Sequence, residues 1–533
     1  MRVTCLAVVL VGLAFSAGIF EPALTAQSPR RLVDADTGTP TTVATRLELA
    51  SRTLPPPSAY QRAATAAERR AAVDAVWGPG FAPQVAVEVF DRFWSYVDAK
   101  FAAFQGIDVD WRAMRDRYRP EVAGGVSRGR LAAIINHLSL SLRDGHTVPL
   151  DLVVNAYTVP DRGIPLLAVG TWMLDTSGAC ATAQADGSAL VYNVAPGHPL
   201  GLQPGDRILG YDGIPWRTLY RQLIDEELPT WPLWWGSGPE GFDHAFVMSA
   251  AANWHLFDTM DIQKPWGAVE HVPTSLMPGA LSSEFCSEQL PVAGVPKPTF
   301  SWAGDTLVSY GVVEDTNIGY IYVWGWFGTA SPDFRDAVRD LTVVRGVDAL
   351  VLDFRFNVGG FLRGPLGGLA ALFDHPAPTF GMDERMRASD HFRMKQAGTP
   401  AEFRVDFTGL FVRDKGSFNG PIAILTGPGA LSAGDFATIW AGFHPGARIF
   451  GKTTAMAAGL PTQPALGTEL FLHPEWSATV AETNSYFVGA PNRYLIHTDL
   501  PVHERVWLNP EDVANGRDTV VDAALAWLRS PMP

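Results

Sequence analysis

Cysteine is scarce in this sequence, with three in 533 residues. Cys5 lies in the N-terminal apolar stretch, which leaves Cys180 and Cys286 for the folded protein. Neither is surrounded by the histidine or carboxylate pattern of a thiol nucleophile or a metal site. In an exported protein these two cysteines can form only one disulfide, and the alternative is a pair of free thiols.

Long apolar runs are absent after the N-terminal stretch, so we expect no membrane span in the processed chain. Within that stretch, Arg2 precedes an apolar core from Leu6 to Phe15. The small residues Ala23 and Ala26 follow. This pattern indicates a signal peptide over residues 1–26, with an uncleaved membrane anchor as the alternative. The sequence therefore predicts an exported protein, periplasmic or extracellular.

Runs of like charge are also missing, and the net charge of −14 makes the protein acidic. An acidic surface repels phosphate backbones, which excludes nucleic acid as the expected partner. The twelve histidines show neither an HExxH pattern nor another paired ligand spacing. We therefore expect no catalytic metal and no cofactor.

The chain divides into segments of different character. A Thr-, Ser- and Pro-rich linker precedes a region in which apolar residues recur every three to four positions, as in helices. Short strand-like runs follow, then a stretch rich in Trp, Pro and Gly, and the last third alternates strands and helices. The sequence thus predicts a multi-domain α/β protein. Its segments are a linker (27–62), an N-terminal helical domain (63–150), a small mostly-β domain (151–228), an insertion that the pattern does not place (229–300) and an α/β core (301–533).

Three loops carry residues suited to catalysis. His146 follows a predicted helix, Gly359 and Gly360 follow a buried strand, and Ser432 begins a helix. A serine at a helix N-terminus lies beside free backbone N–H groups that can hold an oxyanion. Taken one at a time, these features are more typical of a loop histidine, a glycine turn and a helix N-cap.

The order of the motifs narrows the interpretation. Along the chain come Asp-Gly-His-Thr (144–147), Pro-Gly-Asp-Arg-Ile-Leu (204–209), Arg-x-Asn-x-Gly-Gly (355–360) and Leu-Ser-Ala-Gly-Asp (431–435). In this order they resemble the tail-specific, or C-terminal-processing, serine peptidase family. One branch of that family has a lysine base where this chain has residues 454–459, which contain no lysine. The resemblance is therefore to the tricorn-core-like branch, which uses a histidine.

This resemblance implies a serine peptidase that acts on peptides or proteins through an acyl-enzyme. Ser432 would be the nucleophile and His146 the general base. The backbone N–H of Ala433 and that of Gly359 or Gly360 would form the oxyanion hole.

The resemblance also implies further residues and domains. An acid that orients the histidine is expected in the C-terminal part. Asp499 lies nearest that place, Glu482 is a more distant alternative, and a dyad without an acid is the other alternative. The small β domain would be a PDZ-like module, with Gly205 and Asp206 in its peptide-binding motif, that captures a substrate C-terminus. The α/β core would have the layered ClpP/crotonase-like fold.

Two other functions remain open at the level of sequence. A catalytically silent binding protein on the same scaffold is one, because a fold does not determine function. A serine esterase or amidase is the other, since the chemistry of its site is the same.

Overall fold

The computed structural model describes most of the chain after the linker. The described residues are 66–151, 153–155, 164–170, 175–232, 235–282, 286–287, 289–296, 307–373, 380–396, 418–461, 470–487 and 493–530. The predicted signal peptide and linker lie outside them.

Helices dominate the N-terminal part and flank the core. In α2 (Pro83–Lys100), the buried residues Val89, Phe90, Phe93 and Val97 recur at helical spacing and face the main core. No helix among the described residues is long and apolar enough to cross a bilayer. The described helices are α1 (Ala66–Trp77), α2 (Pro83–Lys100), α3 (Trp111–Ala123), α4 (Arg128–Ser141), α5 (Trp216–Asp225), α6 (Pro239–Met248), α7 (Ala330–Arg339), α8 (Arg363–Leu369), α9 (Ala433–Ala441), α10 (Pro510–Ala514) and α11 (Thr519–Arg529).

Short strands make up the rest of the regular structure. They are β1 (Pro149–Asp151), β2 (Leu167–Val169), β3 (Asp175–Thr176), β4 (Ala179–Ala183), β5 (Ala189–Val194), β6 (Arg207–Tyr211), β7 (Ile214–Pro215), β8 (Thr230–Pro232), β9 (Thr259–Gln263), β10 (Val269–Pro273), β11 (Leu281–Ser282), β12 (Val308–Val312), β13 (Ile318–Val323), β14 (Ala349–Asp353), β15 (Phe380–Arg387), β16 (Asp390–Gln396), β17 (Ile422–Thr426), β18 (Ala447–Gly451), β19 (Leu470–His473), β20 (Trp476–Ala478), β21 (Thr483–Phe487) and β22 (Glu504–Arg505).

The sheet of the core has the order β12-β13-β14-β17-β18-β22, and all its pairings are parallel except that of β12 with β13. The predicted strands β13, β14 and β17 are buried along their whole length, as continuous apolar runs in a parallel sheet require. Asp353 at the end of β14 pairs with Leu425 near the end of β17. The loops that follow these two strands therefore emerge side by side at one edge of the sheet.

A second sheet, with the order β10-β9-β6-β5-β4 and β7 beside β6, forms a separate layer. Its strands β9 and β10 come from the Trp- and Pro-rich stretch that the sequence pattern left unplaced. Cys180 on β4 is bonded to Cys286, at a sequence separation of 106. Of the two alternatives for these cysteines, the structure has the disulfide.

A buried charge cluster joins the core sheet to the C-terminal helix. Arg355 donates to Asp353 at 2.7 Å and to Asp518 at 2.8 Å, and Tyr320 donates to Asp353 at 2.6 Å. Burial opposes ionisation of Asp353, but the adjacent guanidinium of Arg355 holds the pKa of that carboxyl below its usual value. Asp518 also caps α11 through the N–H groups of Val520 and Val521. The cluster therefore fixes the start of the loop after β14.

We expect replacement of Arg355 by Met to lower the free energy of unfolding by about 3–5 kcal/mol, because it leaves two buried carboxylates without their cation. Chemical denaturation would measure the change. Arg345→Met is the matched control: its pair with Asp340 is exposed, so the expected change is below about 1 kcal/mol. Equal effects of the two substitutions would contradict a special role for the buried cluster.

Candidate active site

Ser432 stands at a sharp turn between β17 and α9. It is the N-cap of α9, with φ +58° and ψ −116°. Residues with a side chain rarely adopt this conformation, which costs about 1–3 kcal/mol. A strained turn from strand to helix also presents the nucleophilic serine of α/β-hydrolases. Ser432 therefore shares the strained strand-to-helix turn of those serines, in addition to being an N-cap.

Buried Asn357 ties the glycine loop to this turn. Its main-chain carbonyl accepts from the Leu431 N–H at 2.9 Å. Its side chain donates to the Val323 carbonyl at 3.0 Å and accepts from the Gly359 N–H at 3.1 Å. Gly359 has φ +91°, and a Cβ there would lie 2.9 Å from Ser432 Cβ. Only glycine fits this close approach of the loop to the serine.

Two backbone N–H groups, one in the glycine loop and one in the residue after Ser432, have no hydrogen-bond partner among the described residues. Within the described part of the chain, neither Gly360 N–H nor Ala433 N–H donates a hydrogen bond. The Gly359 N–H, in contrast, is already bonded to Asn357. Of the two glycines that the sequence left as alternatives, the hydrogen bonding favours Gly360 as the partner of Ala433. Free, preorganised N–H groups of this kind can stabilise an oxyanion.

His146 lies in a buried turn after α4 and is 5% exposed. Its Nδ1 lies 2.7 Å from the carbonyl oxygen of Gly459. Because a carbonyl oxygen only accepts, Nδ1 carries the proton and Nε2 keeps a free lone pair. Among the described residues Nε2 has no hydrogen-bond partner. This tautomer is the one that a general base requires.

The surroundings of His146 also favour the neutral imidazole. Burial lowers the pKa of His146, while the Asp144 carboxylate and the bond to Gly459 oppose that shift. The net direction is downward. The histidine is therefore deprotonated at neutral pH and able to accept a proton.

A polar cluster holds the His146 turn in place. The hydroxyl of Ser237 donates to Asp144 at 3.1 Å and accepts from the Gly145 N–H at 3.0 Å. Thr147 donates to the other oxygen of Asp144 at 2.6 Å. Sequence reasoning missed Ser237, because it lies in the stretch without periodicity and no motif surrounds it.

The histidine turn and the serine turn meet through the segment 454–460. A Cβ on Gly145 would lie 3.5 Å from Leu431 Cδ1. Ala455 donates to the Ala430 carbonyl at 2.9 Å and accepts from the Ser237 N–H at 2.6 Å. The structure thus brings together three loops that are distant in sequence.

Asp499, the expected orienting acid, is bonded elsewhere. Its Oδ1 accepts from the Glu240 N–H at 3.0 Å, at the first turn of α6. The position beside Nδ1 of His146 is taken by the Gly459 carbonyl. The expectation for Asp499 is corrected accordingly: in this structure a main-chain carbonyl orients the histidine.

Gly205 and Asp206 make structural contacts. Buried Asp206 is paired with Lys264 at 2.8 Å. A Cβ on Gly205, which has φ +94°, would lie 2.7 Å from the Cβ of Ala514. A carboxylate that is buried and already paired offers nothing to a peptide carboxylate. Asp206 pairs with Lys264, which follows β9 of the same sheet, and Gly205 lies against Ala514 of the C-terminal part. We correct their expected peptide-binding role to a structural one.

Comparison with known proteins finds two family matches on the chain. The sequence model of Peptidase family S41 matches residues 317–485, and that of the Tricorn protease C1 domain matches residues 86–139. The first match contains Gly360 and Ser432, and the second lies in the helical domain. A search of curated protein sequences found no significant match.

Two solved structures of CPAF share the fold. Mature CPAF in complex with lactacystin superposes with a TM-score of 0.57 at 12% identity, covering 84% of this chain and 98% of that one. Mature CPAF alone gives 0.57 at 13% identity, with 84% and 97% covered. A putative peptidase from Parabacteroides merdae gives 0.46 at 16% identity, with 85% and 98% covered. The two family matches, over residues 317–485 and 86–139, support a tail-specific protease of peptidase family S41, which is a serine peptidase.

Proposed function

We propose that this peptidase hydrolyses peptide bonds through an acyl-enzyme on Ser432, with His146 as the general base. One observation carries the proposal. The imidazole is held at Nδ1 by the Gly459 carbonyl, which leaves Nε2 free in the buried site that also contains the strained serine turn.

The chemistry follows from these groups. The Ser432 oxygen attacks the scissile carbonyl carbon while its proton passes to Nε2 of His146. The N–H groups of Gly360 and Ala433 stabilise the negative oxygen of the tetrahedral intermediate. The imidazolium returns the proton to the leaving amine, and water then releases the acyl group by the same steps in reverse. No carboxylate needs to contact the histidine in this scheme.

Labelling with a fluorophosphonate probe tests the two assignments. We expect the wild-type protein to be labelled, and Ser432→Ala and His146→Ala to lose labelling and peptide hydrolysis by at least about a thousandfold. Asp499→Asn is the matched control, because Asp499 caps α6 instead of contacting His146, so its hydrolysis rate should stay within about threefold of wild type.

The outcomes separate the alternatives. Labelling that survives in Ser432→Ala would refute the nucleophile, and a large loss in Asp499→Asn would restore a triad. A folded wild type that is not labelled would favour the silent binding protein. A protein that is labelled by the probe and hydrolyses esters but not peptides would favour an esterase.

We further propose that the second sheet captures the substrate C-terminus in the manner of a PDZ module. Strand β10 supports this, because among the described residues it is paired on one side only, with β9, and most of it is exposed. An open strand edge can add a peptide strand through main-chain hydrogen bonds. The opposite edge strand, β4, is buried, and its Ala183 carbonyl accepts from Lys452.

If the terminal carboxylate is recognised, a peptide with a free C-terminus should have a KM lower by at least about tenfold than its C-terminally amidated form, at similar kcat. Steady-state kinetics on the matched pair of peptides measures this. Equal KM values would exclude capture through the carboxylate.

We also propose that the protein is exported. The signal-like residues 1–26 and the Cys180–Cys286 disulfide both support this, because such bonds persist in oxidising compartments. N-terminal sequencing of the protein recovered outside the cytoplasm should begin within a few residues of Gln27. Retention of Met1 would contradict cleavage.

A further inference from the structure

Asp435 is a fully buried carboxylate in the first turn of α9. Its Oδ2 accepts from the Ser432 N–H at 2.6 Å, and its Oδ1 accepts from the Met456 N–H at 2.7 Å. The two oxygens therefore bond to two different loops of the site.

A helix cap accounts for only one of these bonds. An acidic residue at the third position of a helix commonly bonds to the N–H of the N-cap residue, and the bond to Ser432 is of that kind. The bond to Met456 lies outside any capping pattern. It holds the segment 454–460, in which Gly459 bonds to His146.

The site offers this carboxylate no counter-charge. The N–H groups that donate to Asp435 belong to the segments 427–432 and 454–460. Neither segment contains a titratable side chain. Among the described residues no lysine, arginine or histidine is bonded to Asp435. Burial raises the pKa of Asp435 to about 7, and the nearby Thr454 hydroxyl and main-chain N–H groups only partly oppose this. Burying a charge without a cation costs free energy. This cost indicates that the Asp435 carboxylate has a function in the site.

We propose that Asp435 is a positioning residue that holds the nucleophile and the base in register, one carboxylate oxygen on the turn of Ser432 and the other on the segment that orients His146. The inference rests on the proposed roles of Ser432 and His146. Only the carboxylate can accept from both loops at once. A carboxylic acid or a carboxamide has one accepting oxygen free and must release one loop.

Asp435→Asn tests the proposal, with Asp110→Asn as the matched control. Asp110 caps α3 through the Ala113 N–H and is exposed, so the same chemical change there should leave kcat unaltered. In Asp435→Asn we expect kcat to fall about 10- to 100-fold, with KM within about twofold of wild type. Rates are expressed per serine that the fluorophosphonate probe can label, which removes any misfolded fraction.

The pH profile gives a readout that a purely structural cap would not move. In the wild type, kcat/KM should fall as the pH is lowered through about 7, because protonated Asp435 releases one loop. In Asp435→Asn that step should be absent, and activity should fall only at lower pH, where His146, whose pKa is lowered by burial, takes up its proton. Identical profiles and equal kcat in the two proteins would overturn the proposal, while Ser432-dependent labelling would leave the peptidase assignment intact.

If Asp435→Asn cannot be purified in a folded form, the pH dependence of the wild-type protein tests the proposal. Its rate of phosphonylation should drop between about pH 8 and pH 6.5. A rate that stays constant over that range would overturn the proposal.

Discussion

The active site depends on the buried contact of Arg355 with Asp353 and Asp518. A guanidinium between two carboxylates in the interior tolerates little displacement, because each charge would otherwise lose its partner in a medium of low dielectric constant. The contact fixes the chain just before Asn357, and Asn357 then bonds to both the glycine loop and the residue before Ser432. The position of Ser432, the proposed nucleophile, thus depends on the opposite end of the chain, through Asp518 at the start of the last described helix.

Main-chain groups supply several of the contacts in the candidate active site. A carbonyl orients the histidine, and N–H groups are free at the oxyanion position. Such groups belong to every residue and leave no mark in a sequence. This explains why a search for an orienting acid led to Asp499, which in the structure caps a helix.

Local patterns were sufficient to predict the elements that carry the site. The buried strands β14 and β17 and the helix that begins after Ser432 follow from apolar runs and from turn residues, which act over a few positions. The pairing of β6 with β9 could not be predicted from local patterns. It joins segments about fifty residues apart, and β9 lies in a stretch without clear periodicity. The role of Ser237 could not be predicted for the same reason, because it depends entirely on contacts with Asp144 and Gly145, which are distant in sequence.

The disulfide affects what happens when the chain itself is cleaved by a protease. Cys180 and Cys286 enclose most of the second sheet in one covalent ring. A single cut anywhere inside that ring, by this enzyme or another, would leave both fragments joined. The second sheet would stay attached to the core after nicking and would leave only when the bond is reduced, so damage in the most irregular part of the chain need not disassemble the enzyme.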